Sequence, residues 1–285
     1  MQTSARNKKS VLVTGASSGI GFCAAQTLRQ RGYHVIVACR KESDILRLKE
    51  LGYDTVSLDL DNKDSIETAA QTVLTLCNHR LFGLFNNAGF GVYGPLNSVS
   101  REQLEAQFST NFFGVHQLTF LLLPAMLAHH EGRIIQTSSV MGVISTPGRG
   151  AYAASKYALE AWSDALRLEL AGTGVKVSLI EPGPIHTAFT QNVEQTQKDK
   201  PVKNPGIASR FTLTPEHVVE KLIHALESPR PKVRYSVTLL TVAVRILKRI
   251  LPDKIMDKIL ANQGKKAWKK QNQPHFITIA HKFYW

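Results

Sequence analysis

The amino-acid sequence predicts an α/β fold: a single doubly wound parallel sheet with helices on both faces, continued by a helical, basic C-terminal extension. Two observations predict it. Short apolar runs rich in β-branched residues recur from Val11 to Ile180 and alternate with stretches of helical length, the pattern of consecutive βαβ units. A glycine cluster follows the first of these runs and leads straight into the first helical stretch, as in the opening turn of such a sheet.

The strands are read, in order, at Val11-Leu12-Val13, Val35-Ile36-Val37, Thr55 to Leu58, Leu81 to Phe85, Gly132 to Ile135 and Val175 to Ile180. Phe22 to Gln30 follows the glycines as a helix. Ser100 to His130 reads as one long helix whose Phe112, Phe113 and Leu118 to Leu123 make it too apolar for the surface, so it should lie against the sheet. Ala151 to Leu170 starts after the breaker Pro147-Gly148-Arg149-Gly150, with Leu159, Trp162, Leu166 and Leu170 at helical steps. Pro184 to Thr214 has no periodicity, and an insertion of that length in an α/β protein is expected to be a substrate lid.

With 43% hydrophobic and 20% charged residues the composition is that of a folded protein and excludes disorder. The net charge of +13 is lopsided: Pro229 to Trp285 holds thirteen Lys/Arg and two Asp/Glu, a net of +11, which leaves +2 for the first 228 residues. A nucleic-acid binder would carry its basic stripe across the folded body, so none is expected as a partner. Cys23, Cys39 and Cys77 have no paired or metal-ligand spacing, and the ten histidines show none either. Met1 to Ser10 is polar without an apolar core, and no run approaches the ~18 apolar residues of a membrane span. A cytoplasmic location follows as the expectation.

The glycine cluster is Thr14-Gly15-Ala16-Ser17-Ser18-Gly19-Ile20-Gly21. Glycines let the backbone approach a pyrophosphate, and the helix behind them offers free N–H groups and a favourable dipole. In a dinucleotide site the end of the second strand selects the cofactor. Here it carries Cys39-Arg40-Lys41 rather than an acidic residue, which suits a 2′-phosphate and points to NADP(H), unless Arg40 is only a solvated strand end.

Tyr152 and Lys156 stand at i and i+4, a helical turn apart. A positive charge ~4 Å from the phenol is worth on the order of 4 kcal/mol at an effective dielectric of about 20. That would bring the phenol's pKa down from about 10 toward neutrality, where a proton-transfer group works best. Thr137-Ser138-Ser139 closes the fifth strand at the carboxyl edge, where ligands of open sheets bind.

These residues resemble the short-chain dehydrogenases/reductases over about Ser10 to Ile185. The matching elements are Thr14 to Gly21, Asn86-Asn87-Ala88-Gly89, Asn111, Ser139, Tyr152 with Lys156, and Pro182-Gly183. Asn86 to Pro95, Ser138 to Lys156 and Glu181 to Pro184 are most similar to retinol and hydroxysteroid dehydrogenase-like proteins and bacterial NADP-dependent aldehyde reductases.

The resemblance implies a Rossmann-type NADPH-dependent oxidoreductase that reduces a hydrophobic aldehyde or ketone, in a dimer or tetramer. Tyr152 would be the acid/base, Lys156 would lower its pKa and hold the ribose, and Ser139, rather than Ser138, would bond the substrate oxygen. Asn111 would hold a water linking Lys156 to solvent, unless it simply satisfies a helix carbonyl. Gly15, Ser17, Ser18, Gly19, Ile20 and Gly21 would cradle the phosphates, with Arg40 and Lys41 beside them. Asp59 and Leu60 would meet the adenine, although Asp59 and Ser138 could instead be strand-end caps. Asn87, Ala88 and Gly89 would line the cleft, and Pro182, Gly183, Ile185 and Thr187 would flank the nicotinamide.

The chain therefore divides into a polar tail (1–9), a dinucleotide-binding catalytic domain (10–240, with the lid at 184–214) and a basic amphipathic extension (241–285). In that extension Val244, Ile246, Leu247, Ile250, Leu251 and Ile255 alternate with Arg245, Lys248, Arg249, Lys254 and Lys258. Its apolar faces would cover the substrate pocket or an oligomer partner, or residues 241–270 would make peripheral contact with a membrane surface. A non-catalytic NADP(H)-sensing protein is the alternative reading of the whole.

Overall fold

The computed structural model describes residues 8–187 and 212–261. Its elements are β1 (Ser10–Thr14), α1 (Gly19–Gln30), β2 (His34–Cys39), α2 (Glu42–Glu50), β3 (Asp54–Ser57), α3 (Lys63–Leu76) and β4 (Leu81–Asn86). There follow α4 (Arg101–Phe108), a π-turn (Ser109–Phe113), α5 (Gly114–Ala128), β5 (Gly132–Thr137), α6 (Gly150–Glu169) and β6 (Val175–Glu181). After the undescribed stretch come α7 (Pro215–Glu227), β7 (Arg234–Ser236) and α8 (Leu239–Ile250).

The seven strands form one sheet in the order β3-β2-β1-β4-β5-β6-β7, every neighbouring pair parallel. The chain winds outward from β1 to β3 and then returns to place β4 on the other side of β1. That reversal leaves a crevice beyond the carboxyl ends of β1 and β4.

Alternation along the strands builds two cores. Leu12 pairs with Ile36 and Leu84, Leu84 with Ile134, and Ile134 with Val177, a row of side chains on one face. Ile66 and Val73 of α3, Leu118 and Leu122 of α5 and Leu159 of α6 cover it. Val11, Val13, Val37, Phe85 and Ile180 point the other way, onto Ala24 and Leu28 of α1 and Leu222 of α7.

The long helix is continuous from Arg101 to Ala128, as expected, with the π-turn in its middle. Its length and apolar composition would suffice to cross a bilayer, but Leu118, Leu122 and Met126 are wholly buried against α3 and the sheet, as in a core helix. The C-terminal stretch departs from expectation. Helix starts earlier, at Leu239, and breaks at Pro252, whose ring and missing N–H cannot continue it, before resuming over 253–261. Residues beyond 261 and most of the expected lid lie outside the described residues. The lid's two ends are joined by a parallel bridge between Ile185 and Leu213.

Replacing the wholly buried Leu12 by alanine opens a cavity between two packed layers, so Leu12→Ala should cost about 2–5 kcal/mol in urea denaturation. Leu239→Ala, at a position 79% exposed, should change stability by no more than about 0.5 kcal/mol in the same measurement.

Candidate active site

The Thr14 hydroxyl organises the crevice. It accepts hydrogen bonds from the Asn87 and Ala88 N–H groups at 2.9 and 3.0 Å and donates to Phe85 O at 3.3 Å. Asn87 returns the contact, its Nδ2 donating to Thr14 O at 3.1 Å, and its Oδ1 accepts from the Thr137 hydroxyl at 3.4 Å. The carboxyl ends of β1, β4 and β5 are thereby tied together.

The glycines fit this crowding. Gly15 has φ +66°, and a Cβ there would lie 2.8 Å from Ala88 Cα; a Cβ on Gly21 would lie 2.2 Å from Gly15 O. Ser18 caps α1 in an extended conformation without a side-chain cap bond, and the first turn, which contains Ile20, has no acidic residue. Its N–H groups therefore suit an anion, the property a pyrophosphate requires. Arg47 of α2 reaches across to donate to Ser17 O at 2.6 Å. The sequence reading did not single out Arg47, because nothing local links position 47 to the loop.

Arg40 and Lys41 follow β2 and are exposed, Lys41 capping α2. Asp59 closes a turn: its carboxylate accepts from Asp61 N at 3.1 Å and its own N–H donates to Ser65 Oγ. Leu60 is buried, and a Cβ on Gly114 would come within 2.1 Å of its carbonyl, so α5 approaches there by virtue of the glycine.

Asn111 is buried within the π-turn. From inside the π-turn its Oδ1 accepts from Phe90 N at 3.0 Å, and its Nδ2 donates to Phe90 O at 2.9 Å and to Ser155 Oγ at 3.3 Å. The side chain clamps the loop after Gly89 to α6, and those partners occupy its carboxamide. Gln107 does the same one turn earlier, bonding Val92 N and Phe90 O.

Ser139, Tyr152 and Lys156 meet at the carboxyl edge of β5. The Ser139 hydroxyl hydrogen-bonds the Tyr152 phenol and accepts from Met141 N at 3.1 Å. Ser138 is turned instead toward Glu160 on the rear of α6. Lys156 Nζ donates to Thr137 O at 2.7 Å and stands 5.8 Å from the centre of the Tyr152 ring.

This geometry corrects the expected electrostatics. Burial pushes the phenol well above its ordinary range, and the neighbouring Tyr93 adds to the rise; Ser139 and Arg149 only partly offset it. Burial also lowers Lys156 to about 8, against the opposing pull of Glu160. Burial, rather than the Lys156 charge inferred from i,i+4 spacing, sets the direction in which the phenol is moved.

Pro182 O accepts from Val140 N at 2.8 Å, so the loop after β6 is docked beside Ser139. Gly183 lies against Thr238, with space for no Cβ, and a Cβ on Gly19 would meet Thr187 at 3.1 Å.

An apolar wall stands around the phenol, made of Val140, Met141, Ile144 and Ala153 with Val244 of α8 and Met256 beyond it. Tyr93 packs edge-on to Tyr152 at 5.8 Å. Nearby, a hollow of about 570 Å³ opens between Pro95–Asn97 and Ser145–Gly150. Sequence reasoning missed Tyr93 as a lining residue. Val244 and Met256 of the extension pack into the same buried cluster as Tyr152.

Residues 9–198 match the family model described as short chain dehydrogenase. The chain belongs to this family. Among relatives of this short-chain dehydrogenase, the uncharacterized oxidoreductase YbbO of Escherichia coli K12 is 64% identical over 89% of this chain and 94% of its own length. The NADPH-dependent 3-dehydrocapnine reductase of Ornithobacterium rhinotracheale is 32% identical over 90% of this chain and 97% of its own. A solved serine dehydrogenase complexed with NADP+ superposes with a TM-score of 0.72 at 30% identity, over 81% of this chain and 95% of that one. The protein is thus an oxidoreductase of the short-chain type, built on the sheet expected from its sequence.

Thr14→Val keeps the shape of the side chain but leaves the Asn87 and Ala88 N–H groups without their acceptor. The loss expected in chemical denaturation is about 1–3 kcal/mol, whereas an unchanged midpoint would show that the three strand ends hold together without this hydroxyl.

Proposed function

We propose that this short-chain dehydrogenase is an NADPH-dependent reductase of hydrophobic aldehydes or ketones, with Tyr152 as the proton donor. One observation carries the reading: the Tyr152 phenol is bonded to Ser139, with Lys156 beside its ring, against an apolar wall at the edge of the cofactor crevice. Reduction needs a proton at the carbonyl oxygen, and a neutral phenol is a donor where a phenolate is not.

When bound, NADPH supplies the hydride. Tyr152 protonates the substrate oxygen, and Ser139 orients that oxygen by a hydrogen bond. Lys156, fixed by Thr137 O, holds the ribose hydroxyls and balances negative charge that develops on the phenol. Gly15, Ser17, Ser18, Gly19, Ile20 and Gly21 cradle the pyrophosphate; Arg40 and Lys41, with Arg47 behind them, receive the 2′-phosphate. Asp59 and Leu60 contact the adenine side, Asn87 to Gly89 line the cleft, and Pro182, Gly183, Ile185 and Thr187 flank the nicotinamide. Asn111 acts as a positioning residue through Phe90. NADPH specificity draws support from the relative and the solved structure whose names carry NADPH and NADP+.

The division into a catalytic domain (10–240) and a basic extension (241–285) belongs to the same reading, as does a homo-oligomeric assembly. The apolar wall beside Tyr152 argues for a substrate whose carbonyl carries an aliphatic or polycyclic body.

With NADPH and a panel of apolar aldehydes, Tyr152→Phe should lose about two orders of magnitude or more in kcat, followed by NADPH absorbance. Equal rates for the two proteins would refute the assignment of the phenol.

The pH profile supplies a separate check. Lys156 is charged below about 8 and loses its proton as pH rises through that value, well before an ordinary lysine. Reduction should therefore decline on an alkaline limb near pH 8, and a profile flat into the range of a normal lysine would remove Lys156 from the mechanism.

A further inference from the structure

α8 carries apolar side chains on both of its sides. Its inner side combines the buried Thr241 and Val244 with Arg245. Arg245 donates to the two oxygens of the wholly buried Glu181 at 2.9 and 2.8 Å, and Lys248 Nζ donates to Val143 O at 2.5 Å. A second apolar row faces outward: Leu239, Val242, Ile246 and Ile250 are 79, 41, 53 and 71% exposed and recur at steps of three or four, on one stripe. The segment 253–261 repeats the arrangement, with Ile255 and Ile259 exposed beside Lys254 and Lys258 while Met256 packs inward. Contiguous apolar surface of this kind marks a contact with another apolar phase.

The charge around the stripe decides what that phase is. Arg249, Lys254 and Lys258 are exposed next to it; Asp253 and Asp257, exposed on the same segment, offset the two lysines there, and the excess of cations comes from α8 and from residues 262–285, which add five lysines and no acid. A second copy meeting this face across a two-fold axis would bring the same cations against themselves. An anionic lipid surface is complementary to both properties, the apolar stripe and the cationic border. Arg249 also edges a hollow of about 190 Å³ floored by Val242 and Ile246, a cation above apolar side chains, as a lipid phosphate above its chains requires.

We propose that α8 and the segment 253–261 dock the enzyme on an anionic membrane and that its substrate is an apolar carbonyl dissolved in that membrane. The second part follows from the other side of the same segments. Val244 and Met256 pack onto the cluster containing Tyr152, so the docking element is also the roof of the pocket, and a long-chain aldehyde would pass from lipid to site along it. This second part rests on the reading of Tyr152 as a reductase site; the docking does not.

The test is flotation of the purified full chain with phosphatidylcholine vesicles with and without phosphatidylglycerol. The protein should float with the anionic vesicles only, and be released by high salt. Ile246→Ser with Ile250→Ser, and separately Lys254→Glu with Lys258→Glu, should each lower the bound fraction by about tenfold, with reduction of a water-soluble aldehyde unchanged. Only the unaltered chain should show a lowered KM for a long-chain aldehyde presented in anionic vesicles. Undiminished flotation of both variants would overturn the proposal. So would a change of oligomeric size in sedimentation without any vesicle binding, because the stripe would then belong to a second copy. Flotation without carbonyl reduction would uphold the docking and remove only the reading of the catalytic residues.

Discussion

The site depends on one hydroxyl group. Thr14 sits where β1 ends and the chain must turn, and its oxygen is shared by two N–H groups from the end of β4. A parallel sheet splays at its carboxyl edge once the ladder bonds stop, and here the splay is fixed by Thr14 and by Asn87, which reaches on to Thr137 of β5. Because Lys156 hangs from the carbonyl of that same Thr137, the ammonium is located by the backbone that locates the glycine turn. Phosphate cradle and proton-transfer pair are thus held by one frame.

Within the frame, burial is the stronger electrostatic force. The ammonium and the phenol are both stripped of water, and each is pushed toward its neutral form, the lysine down and the tyrosine up. The arrangement costs little elsewhere, because the apolar residues that desolvate the phenol also form the wall of the pocket.

How much of this was legible in the sequence follows from the range of the interactions. The strands, the glycine turn and the pairing of Tyr152 with Lys156 were readable because periodicity and short spacings encode them. Ser139 and Ser138 turn to Tyr152 and Glu160 respectively, since successive residues at the end of a strand point to opposite sides. Arg47, Gln107 and Tyr93 were not readable, because each acts on a segment that only the tertiary fold brings near. The charge effect on Tyr152 was misjudged for a related reason: spacing gives the distance to a neighbour but not the loss of water around both. The extension's helical character was legible, but which of its faces would turn inward was not, because the deciding partner, Glu181, lies far off at the end of β6.

Glu181 gives the C-terminal helix its significance. A carboxylate with no exposure is tolerable in a protein interior only while cations stand against it, and here they are Arg245 of α8 and Arg234 of β7, the latter at 3.6 Å. Shortening the chain before Arg245 would leave that anion in the interior with one distant counterion. The helix is accordingly no detachable appendage: whatever selects for an intact sheet also preserves the arm that reaches away from it.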